Sequence, residues 1–320
     1  MNKFPICPIF IPANKLTYVE KAIKSGADGL IFDLEDSILL NDKPKARENL
    51  FKYLSSNNPD AIIYIRINDL SSENGISDLE MLSELNFAFI IPKFEDEGNF
   101  NKISKEKNLR CVIIRGEGGK SFSPGNDIGE FKKQRSSSKL AKSYGKFLHG
   151  TLGAIFDCPI PTIALIEGIC VGGGLEIAGC CDIRICGKSS RFGVPIKRLG
   201  LTMAAKELEV LLKVTNYTTA MEILFEGRVF GADEAFQKRL VNRVVNDKDV
   251  EKEVYKSAEL ICEGAPKVAR WHKQFARNIL KNGKVTEKIN NLGYKCYDTQ
   301  DFKIGYQSFL NKTKPKFKNK

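Results

Sequence analysis

Apolar and polar residues follow one another in blocks along the first part of the chain. Four apolar runs, at 9–14, 29–36, 62–68 and 87–93, each end in polar or charged residues, and the stretches 16–24, 45–54 and 76–85 between them read as helices. Short apolar runs bounded by turn residues predict buried strands, and their strict alternation with helices predicts parallel βα units. Parallel sheets of this kind carry their chemistry at the C-terminal ends of the strands, which is where Asp33, Glu35, Asp36 and Arg66 fall.

The pattern changes near residue 109. Cys111-Val-Ile-Ile114 and Ile163-Ala-Leu-Ile166 read as buried strands, each running on into a glycine-bearing segment, Phe122-Ser-Pro-Gly-Asn-Asp127 and Gly172-Gly-Gly-Leu-Glu176. Residues 139–156 set Leu140, Tyr144, Phe147, Leu148, Leu152 and Ile155 at the spacing of a helix with one apolar face. Beyond Gly231 the chain predicts a helix, a short strand at 241–245, and helices to about 297, interrupted at Gly264-Ala-Pro266.

The two glycine segments carry the chemistry. Glycine lets backbone approach a ligand closely, and the first N–H groups of a helix beginning at Gly173 or Gly174 lack intrahelical partners. Such donors attract developing negative charge, as on the enolate of a thioester. Glu176 beside them is the candidate proton carrier.

In these residues the chain resembles the enoyl-CoA hydratase/isomerase, or crotonase, superfamily. The motifs run in the family's order: Phe122-Ser-Pro-Gly-Asn-Asp-Ile128, Pro161-Thr-Ile-Ala-Leu-Ile-Glu-Gly168, Gly172-Gly-Gly-Leu-Glu176, Cys181-Asp-Ile-Arg-Ile185, Arg191-Phe-Gly-Val-Pro195 and Gly231-Ala-Asp-Glu-Ala235. The resemblance implies a ββα spiral with a C-terminal helical region that builds a trimer or hexamer. It implies that the backbone N–H groups of Asn126 and Gly173 form the oxyanion hole and that Glu176 acts as acid or base, with side-chain identity at 126 of little consequence. Lys120, Ser123 and Pro124 fall on the loop that lines the coenzyme A channel. Coenzyme A enters as the carrier of the substrate, and no further cofactor is expected. The family's second glutamate position holds Ile196, which favours a one-carboxylate proton shift over hydration.

The first segment is similar to the citrate lyase beta-subunit and malyl-CoA lyase family, through Phe10-Ile-Pro-Ala-Asn14, Asp33-Leu-Glu-Asp-Ser37, Lys43-Pro-Lys-Ala-Arg47, Ile65-Arg-Ile-Asn68 and Ile91-Pro-Lys93. That family is Mg-dependent and cleaves carbon–carbon bonds of acyl-CoA substrates. The similarity implies a half (β/α)8 barrel with Arg66 and Glu35 at the substrate. It ends near Glu95, before the strands that carry the metal ligands, so Mg binding is not expected and a stabilising or vestigial segment is the favoured reading. The opening strands of the crotonase fold are absent as well.

The expected organisation is therefore an α/β chain with a partial barrel at 1–95, a charged junction at 96–108, a truncated spiral core at 109–230 and a helical region at 231–320. Two functions follow: an acyl-CoA enzyme, or a catalytically impaired acyl-CoA-binding fusion. Citryl- or malyl-CoA lyase activity from the first segment is a third.

Composition narrows little further. The net charge of +11 suits an anionic ligand such as coenzyme A, and RNA binding is not expected because no aromatic-interleaved basic motif is present. Nine cysteines without paired spacing read as reduced thiols. Prolines break the apolar start at 4–12, so it predicts neither a signal segment nor a membrane span, and a cytoplasmic location is expected.

Overall fold

The computed structural model describes residues 8–85, 87–92 and 97–319. The chain forms two compact units, Met1–Leu109 and Arg110–Lys320.

In the first unit the strands β1 (Pro8–Pro12), β2 (Gly29–Asp33), β3 (Ile62–Arg66) and β4 (Ala88–Ile90) form one parallel sheet in sequence order. Helices α1 (Val19–Lys24), α2 (Lys43–Ser56) and α3 (Glu73–Leu82) lie between them in the chain. Every residue of β2 is buried, which explains its unbroken apolar run before Asp33. The strict βα alternation is as the sequence predicts. The end of the fourth apolar run, at residue 93, lies outside the described residues. The expected charged junction differs: α4 (Glu97–Lys105) buries Phe100 and Ile103, and Lys102 donates to the Leu70 carbonyl at 2.6 Å. Phe100 and Ile103 share a helix face, and the charges around them hid that spacing.

The second unit divides its strands between two sheets. After β5 (Val112–Arg115) and β6 (Ser121–Ser123) come α5 (Phe131–Gln134) and α6 (Ser138–Asp157), then β7 (Thr162–Ile166), β8 (Ile169–Val171) and α7 (Gly173–Cys180). A third turn follows with β9 (Ile183–Gly187), β10 (Arg191–Gly193), α8 (Ala205–Val214) and α9 (Tyr217–Glu226), and then β11 (Phe230–Gly231), α10 (Ala232–Gln237) and β12 (Arg243–Val245). One sheet has the order β12-β9-β7-β5 and the other β11-β10-β8-β6. This strand, strand, helix repeat is the spiral that the motifs imply. Helices α11 (Val250–Cys262), α12 (Pro266–Asn282), α13 (Glu287–Tyr294) and α14 (Gln300–Leu310) complete the unit, extending the helical region past the expected end near 297.

The core sits where α11 covers the first sheet, with Ile163, Leu165 and Ile185 packed on Val250, Val254 and Ala258. None of the described cysteines is in a disulfide. No helix among the described residues is long and apolar enough to cross a membrane.

Candidate active site

The site forms where two short parallel strands end side by side. β6 pairs with β8, so the loops that leave their C-terminal ends emerge together. The loops do not leave the runs at 111–114 and 163–166 directly, as their sequence suggests, because β6 and β8 intervene and lie in the other sheet. Strands of three residues are too short to show alternation, which is why the pattern missed them.

Two glycines make the approach possible. Gly125 has φ +94°, and a Cβ there would stand 2.9 Å from the Val171 carbonyl oxygen and 3.2 Å from the Gly173 nitrogen. A Cβ on Gly174 would stand 2.3 Å from the Ser123 carbonyl oxygen. The segment around Asn126 therefore touches the first turn of α7. Among the described residues, neither the Asn126 nor the Gly173 N–H donates to another group of the protein. Asn126 is held further by its side chain, whose Oδ1 accepts from the Tyr144 hydroxyl at 2.7 Å.

Glu176 follows on α7 and is only 9% exposed, with its Oε2 buried and without a hydrogen-bond partner among the described residues. Burial, reinforced by the nearby charge of Glu207 and opposed by Arg135, pushes its pKa from 4.5 to about 8. A carboxyl poised there can exchange a proton with carbon near neutral pH. Arg135 lies over the Tyr144 ring at 4.1 Å and the Phe131 ring at 4.6 Å, and its Nε and Nη2 have no hydrogen-bond partner among the described residues. Two unpaired guanidinium donors beside a carboxylate suit an anionic group of a ligand.

The remaining expected residues divide. Ser123 is half-buried and its Oγ accepts from the Gly125 N–H at 3.2 Å, whereas Lys120 and Pro124 are exposed. Asp127 accepts from the Gly129 N–H at 2.7 Å, a turn contact. Ile196 is half-buried in the 3-10 helix Pro195–Leu199 after β10. In the first unit, Glu35 and Arg66 come together at 3.3 Å, and Arg66 also donates from Nε and Nη2 to the two oxygens of Asp33, each at 2.8 Å. Asp33 is 1% exposed; burial alone would raise its pKa, yet the hydrogen bonds from Arg66, Ser37 and Glu35 hold it at about 2.

Tyr144, Arg135, Glu207 and His149 belong to the neighbourhood of the site and were not singled out as chemistry from sequence. Tyr144 read only as an apolar position of its helix. Glu207 sits at the third position of α8, where an acid ordinarily caps the helix, and its Oε2 does accept from the Ala204 N–H at 3.0 Å.

The model for the enoyl-CoA hydratase/isomerase family matches residues 57–320, and the chain belongs to that family. Crotonyl-CoA hydratase of Syntrophomonas wolfei is 32% identical over 221 residues, 68% of this chain and 84% of that protein. The probable mitochondrial enoyl-CoA hydratase 2 of Arabidopsis thaliana is 30% identical over 266 residues, 81% of this chain and 82% of that one. A crystal structure described as an enoyl-CoA hydratase/carnithine racemase from Magnetospirillum magneticum superposes with a TM-score of 0.69 at 43% identity, covering 70% of this chain and 84% of its own. The family match begins at residue 57, well before the first motif at Phe122, and so takes in β3, α3, β4 and α4.

Proposed function

We propose that the second unit binds an acyl-CoA, holds its thioester oxygen at the Asn126 and Gly173 N–H groups, and moves a proton with Glu176. The observation that carries this is the contact of the Gly125 segment with the start of α7, one turn from a buried carboxyl. Removal of the α-proton sends the C–H electron pair into an enolate, and donors already fixed at the oxygen stabilise that charge without reorganising. Lys120, Ser123 and Pro124 would face the pantetheine and phosphates. With Ile196 at the family's second glutamate position, the reading favours a proton shift, of the isomerase kind, over water addition.

Crotonyl-CoA and 3-butenoyl-CoA turned over by the wild type and by Glu176→Gln test it. Equal turnover in both proteins removes Glu176 from its role. A folded wild type that binds coenzyme A but turns over neither substrate supports the alternative, a catalytically impaired acyl-CoA-binding chain.

For the first unit the pairing of Arg66 with buried Asp33 supports a stabilising segment over a citryl- or malyl-CoA lyase site, because the guanidinium expected at substrate is already engaged within the protein. Assembly into a trimer or hexamer is supported by apolar side chains left exposed on the last helices, among them Tyr294 at 64% and Phe309 at 83%. Light scattering across a concentration series would test it.

A further inference from the structure

We infer that Glu207 and His149 form a proton relay linking Glu176 to solvent, which supplies the exchange that Ile196 cannot. The inference rests on the reading of Glu176 as the proton carrier. Glu176 and Glu207 line one cavity of about 10 Å³, the room that a single water molecule needs. The Nε2 of His149 lies 3.1 Å from the Oε1 of Glu207. His149 in turn lines a second, larger cavity of about 870 Å³ bounded by α6, α8 and α12, and its side chain is 20% exposed. Exposure thus rises from buried Glu176 through Glu207 to His149, which borders the open space.

The surroundings fit transfer along this line. Besides burial, the charge of Glu207 raises the pKa of Glu176 and that of Arg135 lowers it. Arg184 lines the same small cavity, but its Nη1 and Nε donate to the Cys181 and Leu240 carbonyls. Gly145 lies beside the outer ring nitrogen, and a Cβ there would stand 4.0 Å from Nδ1. Lys206, Lys213 and Glu209 of α8 and Arg270 and Arg277 of α12 face the larger cavity.

The protons balance as follows. The Glu176 carboxylate takes the α-proton while the C–H electron pair forms the enolate. The proton passes across the small cavity to the Glu207 carboxylate and then to Nε2 of His149, and the imidazolium releases its Nδ1 proton to solvent. Glu176 is again a carboxylate, and the reverse sequence reprotonates carbon with a solvent proton.

Exchange of the α-protons of butyryl-CoA in D2O, followed by mass spectrometry, reads this path directly. The saturated chain can be neither hydrated nor isomerised. Wild type incorporates deuterium and Glu176→Gln does not. Glu207→Gln keeps an acceptor for the Ala204 N–H, so the expected result is an unchanged melting temperature with exchange slowed at least about tenfold. His149→Ala slows exchange likewise, and added imidazole, entering the larger cavity, restores it. Wild-type exchange rates in Glu207→Gln and His149→Ala, with Glu176→Gln inactive, overturn the relay alone. A loss in His149→Ala that imidazole does not restore assigns the ring a structural role and overturns it too. No exchange in the wild type, or equal exchange in Glu176→Gln, overturns the role of Glu176 and the relay with it.

Discussion

The Tyr144 hydroxyl donates to the Asn126 Oδ1 at 2.7 Å, tying the loop that carries one candidate oxyanion donor to the long helix α6. The backbone N–H of Asn126 alone was expected to matter, yet its side chain is the anchor. Tyr144→Phe removes one neutral hydrogen bond, a loss of ~1 kcal/mol. If the loop drifts by that amount in the transition state, kcat on an enoyl-CoA falls roughly fivefold with KM barely changed. Steady-state kinetics decide it, and an unchanged kcat means that the loop holds its donor without the tyrosine.

Gly174→Ala should be far more damaging. Its Cβ would meet the Ser123 carbonyl oxygen at 2.3 Å, so β6 and α7 must move apart and the two donors with them. A displacement near 1 Å in a positioned site costs on the order of 100-fold in kcat/KM. Gly153→Ala is the control: it lies within α6 with nothing within 4 Å of its Cβ, and alanine there stabilises a helix by ~1 kcal/mol. A melting temperature lowered by Gly174→Ala and not by Gly153→Ala, with activity following, is the expected result.

Much of this was legible because glycine and strand patterns are local. The βα alternation of the first unit and the helix at 138–157 follow from short stretches of chain, and the meeting of the two glycine segments from the order of the motifs. What remained hidden depends on partners distant in sequence. Glu207 reaches Glu176 only because α8 packs on α7, and no spacing in the chain marks that encounter. Arg66 read as a substrate ligand because strand ends are where ligands bind; its engagement with Asp33 appears only once β2 and β3 are paired. The short strands β6 and β8 lacked the length for alternation.

Arg66 provides a prediction that separates structure from chemistry. Asp33 is 1% exposed, so Arg66→Ala leaves a buried carboxylate without its main counterion, which costs on the order of 3–5 kcal/mol. Asp33 titrates at about 2 when folded and 3.8 as an ordinary carboxyl, so the stabilisation it provides is present above 3.8 and is lost as pH falls toward 2. Denaturant titrations at pH 7 and pH 3 should show a large deficit for Arg66→Ala at pH 7 that narrows at pH 3. A deficit absent at both would return Arg66 to the role of a ligand-binding group.

The raised pKa of Glu176 makes opposite demands on stability and on catalysis. Its carboxyl titrates at about 8 when folded and 4.5 as an ordinary glutamate, so between those values the folded state binds more protons than the unfolded chain. Stability contributed by the neutral form is complete below 4.5 and is lost as pH rises through about 8, by on the order of 3–5 kcal/mol in all. Glu176→Gln carries no charge to bury, so its stability should hold across this window where that of the wild type declines. Proton abstraction needs the carboxylate, so wild-type kcat/KM should climb about tenfold per pH unit and level off above about 8. Both curves should bend at the same pH, because one ionisation governs them. A kcat/KM midpoint near 4.5 would show that Glu176 is solvated before substrate binds, and burial could then not be what tunes it.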